Sequence, residues 1–315
     1  MSKQQRAMID AMLRQPRPGG PSSVEDLRAG FQTMMATMLV PDGIRATATT
    51  LGPRPALLVE SADRPHAGTI LYFHGGSFVF GSPETALSLT GNLVARTGIR
   101  ALSLDYRLAP EHPFPAAIDD ALSAYRALLD SGEDPSTIAF AGDSAGGGLT
   151  VTTCLAARDA NLPMPAAIVA FSPGLDATRT GESMDTKAGI DPFFTRETLG
   201  RTGAMYLAGQ DPNHDMLSPA VRADLTGFPP MLLQAGTNEV LLDDATRMAA
   251  RARTAGVDVI LDTTADVPHV FQAFAGVLDE ADEALDRAAL FLTQHIRSRS
   301  TVIEDRGRLS SRAGA

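Results

Sequence analysis

Cysteine is nearly absent. Cys154 is the only one in 315 residues, which rules out an intrachain disulfide. It falls inside a stretch with a helical pattern, where a buried structural thiol is expected rather than a second nucleophile. Basic clusters are missing as well. The formal net charge is −10 and no stripe of Lys and Arg appears, which argues against nucleic acid as a partner. No apolar run approaches the roughly 20 residues that a membrane-spanning helix needs. Met1 to Leu13 hold neither an apolar core nor a cleavage site, so a secretory leader is not expected and a cytoplasmic location is. No metal and no cofactor are expected. His66 and His74 have no cysteine or close carboxylate to complete a ligand set.

What the chain does have is a regular alternation of strand and helix patterns. Its length suits one large α/β domain. Ile44 to Thr50 and Ala56 to Glu60 read as a strand pair. Short apolar strands follow at Thr69–Phe73, Ala101–Leu104, Thr137–Ala141, Ala166–Phe171, Met231–Ala235 and Val257–Thr263. Helical patterns separate them, at about 82–97, 116–129, 147–159, 242–255 and 279–297. Near-continuous apolar strands between helices predict a mostly parallel sheet covered on both faces. Residues 1–40 stand outside this series as an N-terminal arm. Within it, Val24 to Leu39 has a capped start at Ser22-Ser23 and apolar residues at helical spacing. Residues 41–297 form the main domain. Residues 177–225 break its rhythm and read as a lid insertion holding one helix near 196–208. Residues 298–315 alternate small and charged side chains and read as a disordered tail.

The chemistry is carried by Gly142-Asp143-Ser144-Ala145-Gly146. This G-x-S-x-G segment lies between a predicted strand and a predicted helix. There it forms a tight turn that lifts a serine hydroxyl clear of a sheet. A serine hydroxyl needs a base, and the base needs an orienting acid. Where the chain order is serine, acid, histidine, three histidines remain: His214, His269 and His295. His295 has long polar neighbours near the end of the last helix, and His214 lies in the irregular lid. His269 opens the loop after the last strand, where a parallel sheet presents functional residues. The acid belongs in the loop after Met231–Ala235. Glu239 comes soonest there, with Asp243 second. Asp243 and Asp244 fall at a helix start, where capping explains them. The developing oxyanion needs N–H donors. One is the amide of Ala145, and the others belong to His74-Gly75-Gly76-Ser77-Phe78.

Four segments together resemble the hormone-sensitive-lipase-like esterases, also called bacterial family IV, over about residues 20–297. They are His74-Gly75-Gly76-Ser77-Phe78, Asp105-Tyr106-Arg107-Leu108-Ala109-Pro110-Glu111-His112-Pro113-Phe114-Pro115, Gly142-Asp143-Ser144-Ala145-Gly146-Gly147, and His269-Val270-Phe271. The resemblance implies an α/β-hydrolase fold with an N-terminal helical cap. It implies Ser144 as nucleophile, His269 as base, and Gly75, Gly76 and Ala145 as oxyanion donors. Two positions depart from the family pattern. Ser77 replaces the usual third glycine of the loop, and Glu239-Val240-Leu241-Leu242-Asp243 stands where Asp-Pro-Leu-x-Asp is common. The Tyr106 to Pro115 stretch marks the family without an assigned chemistry.

The expected activity is that of a serine carboxylesterase acting through an acyl-enzyme on small, mainly short-acyl esters. Lactone opening or amide deacetylation on the same groups, and a non-catalytic receptor on the same fold, are the competing readings. Met34, Met38, Phe78, Phe80, Phe193 and Tyr206 are expected to line an apolar substrate cleft. The methionines alternatively serve only to dock the arm on the core. The partner expected is a small ester, with no nucleic acid and no membrane, and a homodimer is left open.

Overall fold

The computed structural model describes residues 2–15, 23–62 and 66–296. The expected tail lies outside these residues. The elements run, in order, α1 (Ser2–Leu13), α2 (Val24–Met35), β1 (Ile44–Leu51), β2 (Arg54–Ser61), β3 (His66–Phe73), α3 (Leu87–Thr97), β4 (Ile99–Leu104) and α4 (Ala116–Asp130). They continue with β5 (Ile138–Asp143), α5 (Ala145–Asp159), β6 (Ala167–Phe171), α6 (Ser183–Thr186), α7 (Arg196–Leu207), α8 (Pro219–Arg222), β7 (Met231–Gly236), α9 (Leu242–Thr254), β8 (Val259–Thr264) and α10 (Asp279–His295).

The eight strands form one sheet in the order β1-β2-β4-β3-β5-β6-β7-β8. β1 and β2 are antiparallel, β2 meets β4 antiparallel, and all later pairings are parallel. The apolar runs are continuous because both sheet faces are covered. Alternate residues go to opposite layers. Leu71, Phe73, Phe140 and Leu233 pack with Tyr125 of α4, Leu149 of α5 and Met248 of α9. Ile70, Tyr72, Ala139 and Leu232 pack on the other face, with Leu89 and Leu93 of α3 and Leu285 and Phe291 of α10. Burial of each Leu, Ile, Phe or Met side chain among these contributes about 1.5–3 kcal/mol relative to exposure, which keeps the central strands in place.

The register aligns the strand ends. Phe73 pairs with Gly142, and Asp143 pairs with Phe171. The loops that follow β3, β5 and β6 therefore emerge side by side, beyond the carboxyl ends of the parallel strands.

Several boundaries differ from the sequence reading, among them three helix ends. The helix expected from 82 begins at Leu87, because Ser82 and Thr85 exchange side-chain hydrogen bonds with each other's backbone in a turn. The helix expected to reach Leu39 ends at Met35. The helix after Ser144 begins at Ala145 rather than Gly147, since the turn is tighter than the glycines alone required.

The arm docks in two places. Ile9 and Leu13 of α1, a helix the sequence pattern did not mark, pack against Phe271, Phe274 and Leu278. On α2, Ser23 caps the start by accepting the Asp26 amide, and Val24, Leu27 and Phe31 pack against the cluster of Val79, Phe80 and Tyr206. Arg28 clamps α2 from the side. It donates to the carbonyls of Val79 and Ala109 and forms a bidentate pair with Glu111. Glu111 belongs to the segment that the sequence left without a role.

Candidate active site

Ser144 occupies the turn between β5 and α5 with φ 54° and ψ −117°. This is a strained conformation for a residue with a side chain. The turn also needs close backbone approach. A Cβ on Gly146 would lie 2.0 Å from the Phe73 carbonyl oxygen, so only glycine fits there. The result holds the hydroxyl at the N-terminus of α5, above the sheet.

His269 and Glu239 meet it from two other loops. Nε2 of His269 lies 2.9 Å from Ser144 Oγ, and Nδ1 lies 2.7 Å from Glu239 Oε2. All three side chains are buried. Burial by itself lowers the His269 pKa. The hydrogen bond and charge of Glu239 outweigh it, and the pKa stands above the ordinary 6.5. The other histidines are elsewhere engaged. His214 is exposed, and His295 Nδ1 meets the Phe291 carbonyl within its own helix.

Glu239 is held from its far side. Oε1 accepts the Gly236 amide at 2.5 Å and the Ser172 hydroxyl at 3.0 Å. The same Ser172 oxygen accepts the amide of Val270 at 2.9 Å. Ser172 thus ties the acid loop to the histidine loop. The sequence reading passed over it. Its signal was position, since it is the first residue after β6, flanked by the loops of β5 and β7.

Asp243 and Asp244 do not cap α9, which has no side-chain cap. They face another segment. Asp243 accepts the Ser183 amide at 2.9 Å, while Asp244 accepts the amides of Leu175 at 2.7 Å and Asp176 at 2.9 Å. The carboxylates sit at a helix start, but the donors nearest them come from the chain after β6. Asp243→Asn is therefore expected to cost at most about 1 kcal/mol of stability, since the amide oxygen keeps the Ser183 bond without the carboxylate charge, with kcat unchanged. Thermal unfolding together with ester kinetics checks this. A large loss of kcat would make Asp243 part of the chemistry.

The loop after β3 is braced by the family segment. The Tyr106 hydroxyl donates to the His74 carbonyl at 2.6 Å, and its ring stacks on His74 with centroids 4.1 Å apart. Burial pushes His74 down to about 4, so its ring is neutral and serves the loop. Gly76 stands at φ 122°, and a Cβ there would meet the Phe80 carbonyl at 2.0 Å.

The Gly75 backbone lies against the buried Asp143 carboxylate, which accepts the Tyr72 hydroxyl at 2.8 Å. Among the described residues no acceptor takes the amides of Gly76, Ser77 or Ala145. The last of these is a first-turn helix donor with no intrahelical partner.

The expected substrate-lining residues separate into two cavities with Ser144 on both. The first, of about 60 Å³, also borders His269 and is lined by Met34, Met38, Phe80, Phe193 and Phe194. Phe194 sets its edge against the His269 ring at 4.9 Å, and Asp191 holds the backbone of Phe193 and Phe194. The second, of about 100 Å³, borders Ser77 and Ala145 and is lined by Phe78 and Tyr206, stacked at 4.0 Å. Met34, Met35 and Met38 are not confined to docking the arm. They border a cavity, and Met35 and Met38 also pack on the core.

No group of His, Cys, Asp and Glu among the described residues is arranged to hold a metal. No helix among them is long and apolar enough to cross a membrane.

Sheet order, elbow turn and the Ser–His–Glu contact define a serine hydrolase of the α/β class. Comparison with known proteins gives the family. The profile of the alpha/beta hydrolase fold matches residues 70–273. An acetyl-hydrolase of Streptomyces hygroscopicus is 41% identical over 261 residues, covering 83% of this chain and 86% of that one. An esterase of Acinetobacter venetianus is 37% identical over 225 residues, covering 71% and 74%. The crystal structure of an esterase from the bacterial hormone-sensitive lipase family superposes with a TM-score of 0.90 at 40% identity, covering 93% of this chain and 99% of that one. The chain belongs to the hormone-sensitive-lipase-like, bacterial family IV esterases. It is a serine ester hydrolase of the carboxylesterase type.

Proposed function

We propose that Ser144, His269 and Glu239 form the triad that cleaves small, mainly short-acyl carboxylic esters through an acyl-enzyme. The observation that carries this reading is the continuous contact from Glu239 through both nitrogens of His269 to Ser144 Oγ. As Oγ attacks the ester carbonyl, its proton passes to His269 Nε2, and Glu239 holds Nδ1–H and stabilises the imidazolium. The carbonyl oxygen becomes an oxyanion that accepts from the unoccupied amides of Gly76, Ser77 and Ala145. The C–O bond to the alcohol then breaks, and Nε2–H returns the proton to the leaving oxygen. Water repeats the sequence on the acyl-enzyme and releases the acid.

Proton return decides which cavity holds which half of the ester. The leaving oxygen must lie beside Nε2, so the alcohol enters the cavity that His269 borders and the acyl group enters the one beside Ala145. The small acyl cavity supports a short-acyl preference, as does the similarity to an acetyl-hydrolase. Residues 1–40 act as a cap through α2, which walls the alcohol cavity, and residues 177–225 close the acyl side through α7.

A profile of p-nitrophenyl esters of increasing acyl length, with fluorophosphonate labelling of Ser144, tests the proposal. Turnover that rises steadily to long acyl chains would remove the short-acyl part. No labelling would remove the nucleophile.

The cap makes a separate prediction. Arg28→Ala loosens α2 by removing two bonds to backbone carbonyls and the pair with Glu111. KM for esters of bulky alcohols should rise about three- to tenfold with a smaller change in kcat. Michaelis–Menten curves decide it, and a fall in kcat at constant KM would show that α2 acts on the chemical step.

A further inference from the structure

The acyl cavity has a charged end that ester cleavage does not use. Asp176, Arg179, Thr202 and Asp244 line the same cavity as Ser144 and Ala145. Asp176 is saturated. It accepts from the amides and hydroxyls of Thr178 and Thr180 and pairs with Arg247 at 3.2 Å. Arg179 and Asp244 are not saturated. Nη2 of Arg179 donates to the Leu199 carbonyl at 2.6 Å, and its Nε and Nη1 have no acceptor among the described residues. Asp244, only 4% exposed, takes two amides on Oδ2, while Oδ1 has no donor among the described residues.

The placement of Arg179 is built. Its backbone lies in the left-handed region at φ 53°, a conformation that is unfavourable for a long side chain. A Cβ on Gly203 of α7 would stand 2.6 Å from Arg179 Nη2, so a glycine in that helix leaves the room that the guanidinium fills. Burial weakens its hold on the proton, and the nearby charges of Asp244 and Asp176 restore part of that hold. Burial also raises Asp244 to about 7 against its two amide bonds.

A free donor and a free acceptor therefore border one small cavity. The charges around them balance, with Arg179 and Arg247 against Asp176 and Asp244. A substrate carboxylate would add a third negative charge to a buried site, at a desolvation cost that nothing offsets. A plain alkyl chain would leave both polar groups facing it unpaired. A neutral group that accepts on one side and donates on the other fits both.

We propose that the acyl cavity selects hydroxyacyl esters, with Arg179 donating to the distal hydroxyl oxygen and Asp244 accepting a hydrogen bond from that hydroxyl. This rests on the reading that the acyl group enters the cavity beside Ala145.

The experiment compares ethyl 3-hydroxybutyrate, ethyl butyrate and monoethyl succinate at pH 8, where Asp244 is mostly ionised, each rate divided by its alkaline hydrolysis rate. The wild-type protein should favour the hydroxy ester over ethyl butyrate by about 10- to 100-fold in kcat/KM, with the succinate worst. Arg179→Met should lower kcat/KM for the hydroxy ester about tenfold more than for ethyl butyrate. Moving the hydroxyl to the alcohol half, 2-hydroxyethyl butyrate against propyl butyrate, should bring no preference. A wild-type ratio near one overturns the inference without any variant. So does a preference for succinate, a ratio that Arg179→Met leaves intact, or a preference that follows the hydroxyl to the alcohol half. If none of the esters is cleaved, it is the esterase reading beneath the inference that has failed.

Discussion

Ser144→Ala lowers kcat for ester hydrolysis by on the order of 10⁵–10⁶ while the protein remains folded. The loss is this large because the serine and its base work as one unit. Without Oγ, His269 Nε2 faces no proton to take, and only the oxyanion amides and the two cavities remain to favour hydrolysis by water. Folding should be unaffected. Among the described residues the side chain makes a single hydrogen bond, to His269. The left-handed turn that Ser144 adopts is as unfavourable for alanine as for serine. Initial rates on a short-acyl chromogenic ester, thermal unfolding, and the mass of the fluorophosphonate-treated protein read the three parts separately. Retained turnover in a folded variant would remove Ser144 from the mechanism, and the two-cavity assignment with it.

Glu239→Gln is expected to lower kcat by on the order of 10³–10⁴. The geometry gives the reason. Oε1 of Glu239 accepts from Gly236 and Ser172, and a glutamine carbonyl would keep that place. Its amide group would then point at His269 Nδ1 and make that nitrogen an acceptor. The proton would move to Nε2, the wrong tautomer for taking a proton from Ser144.

The variant also carries a pH signature. In the native protein burial lowers the His269 pKa and Glu239 raises it by more, so the base is lost to protonation at a pH above the ordinary 6.5. The acid limb of kcat/KM should therefore have its midpoint above that value. With glutamine the raising charge is gone and burial remains, so the midpoint moves to lower pH. A pH–rate profile of both proteins tests this. An unmoved acid limb in a slow variant would mean that the carboxylate only braces the loop. Near-normal turnover in Glu239→Gln beside a dead Asp243→Asn would transfer the role to Asp243.

Much of the architecture was legible because it rests on periodicity. Ile70 to Phe73 are apolar without alternation because each face of β3 meets a helix layer, and that requirement is written in every residue of the run. The loops that hold Ser144, Glu239 and His269 were legible for a related reason. Each follows the end of a predicted strand, and parallel strands present these ends together. Two boundaries that shifted, at Leu87 and Ala145, are places where side-chain hydrogen bonds or a strained turn override propensity.

What the sequence by itself determined is the set of strands, their covering helices, and the order in which serine, acid and histidine leave the sheet. Hydrophobic pattern and glycine placement are local properties, and a local reading recovers them. Only the tertiary structure decided which groups are already occupied. Asp243 and Asp244 at the start of α9 accept the amides of Ser183, Leu175 and Asp176 from the chain after β6. Ser172 joins two loops, and the one expected cleft is two cavities. Each of these depends on a donor and an acceptor far apart in the chain. A buried polar group takes whichever partner the packing brings within about 3 Å, and distance in space is the one quantity that sequence spacing does not contain.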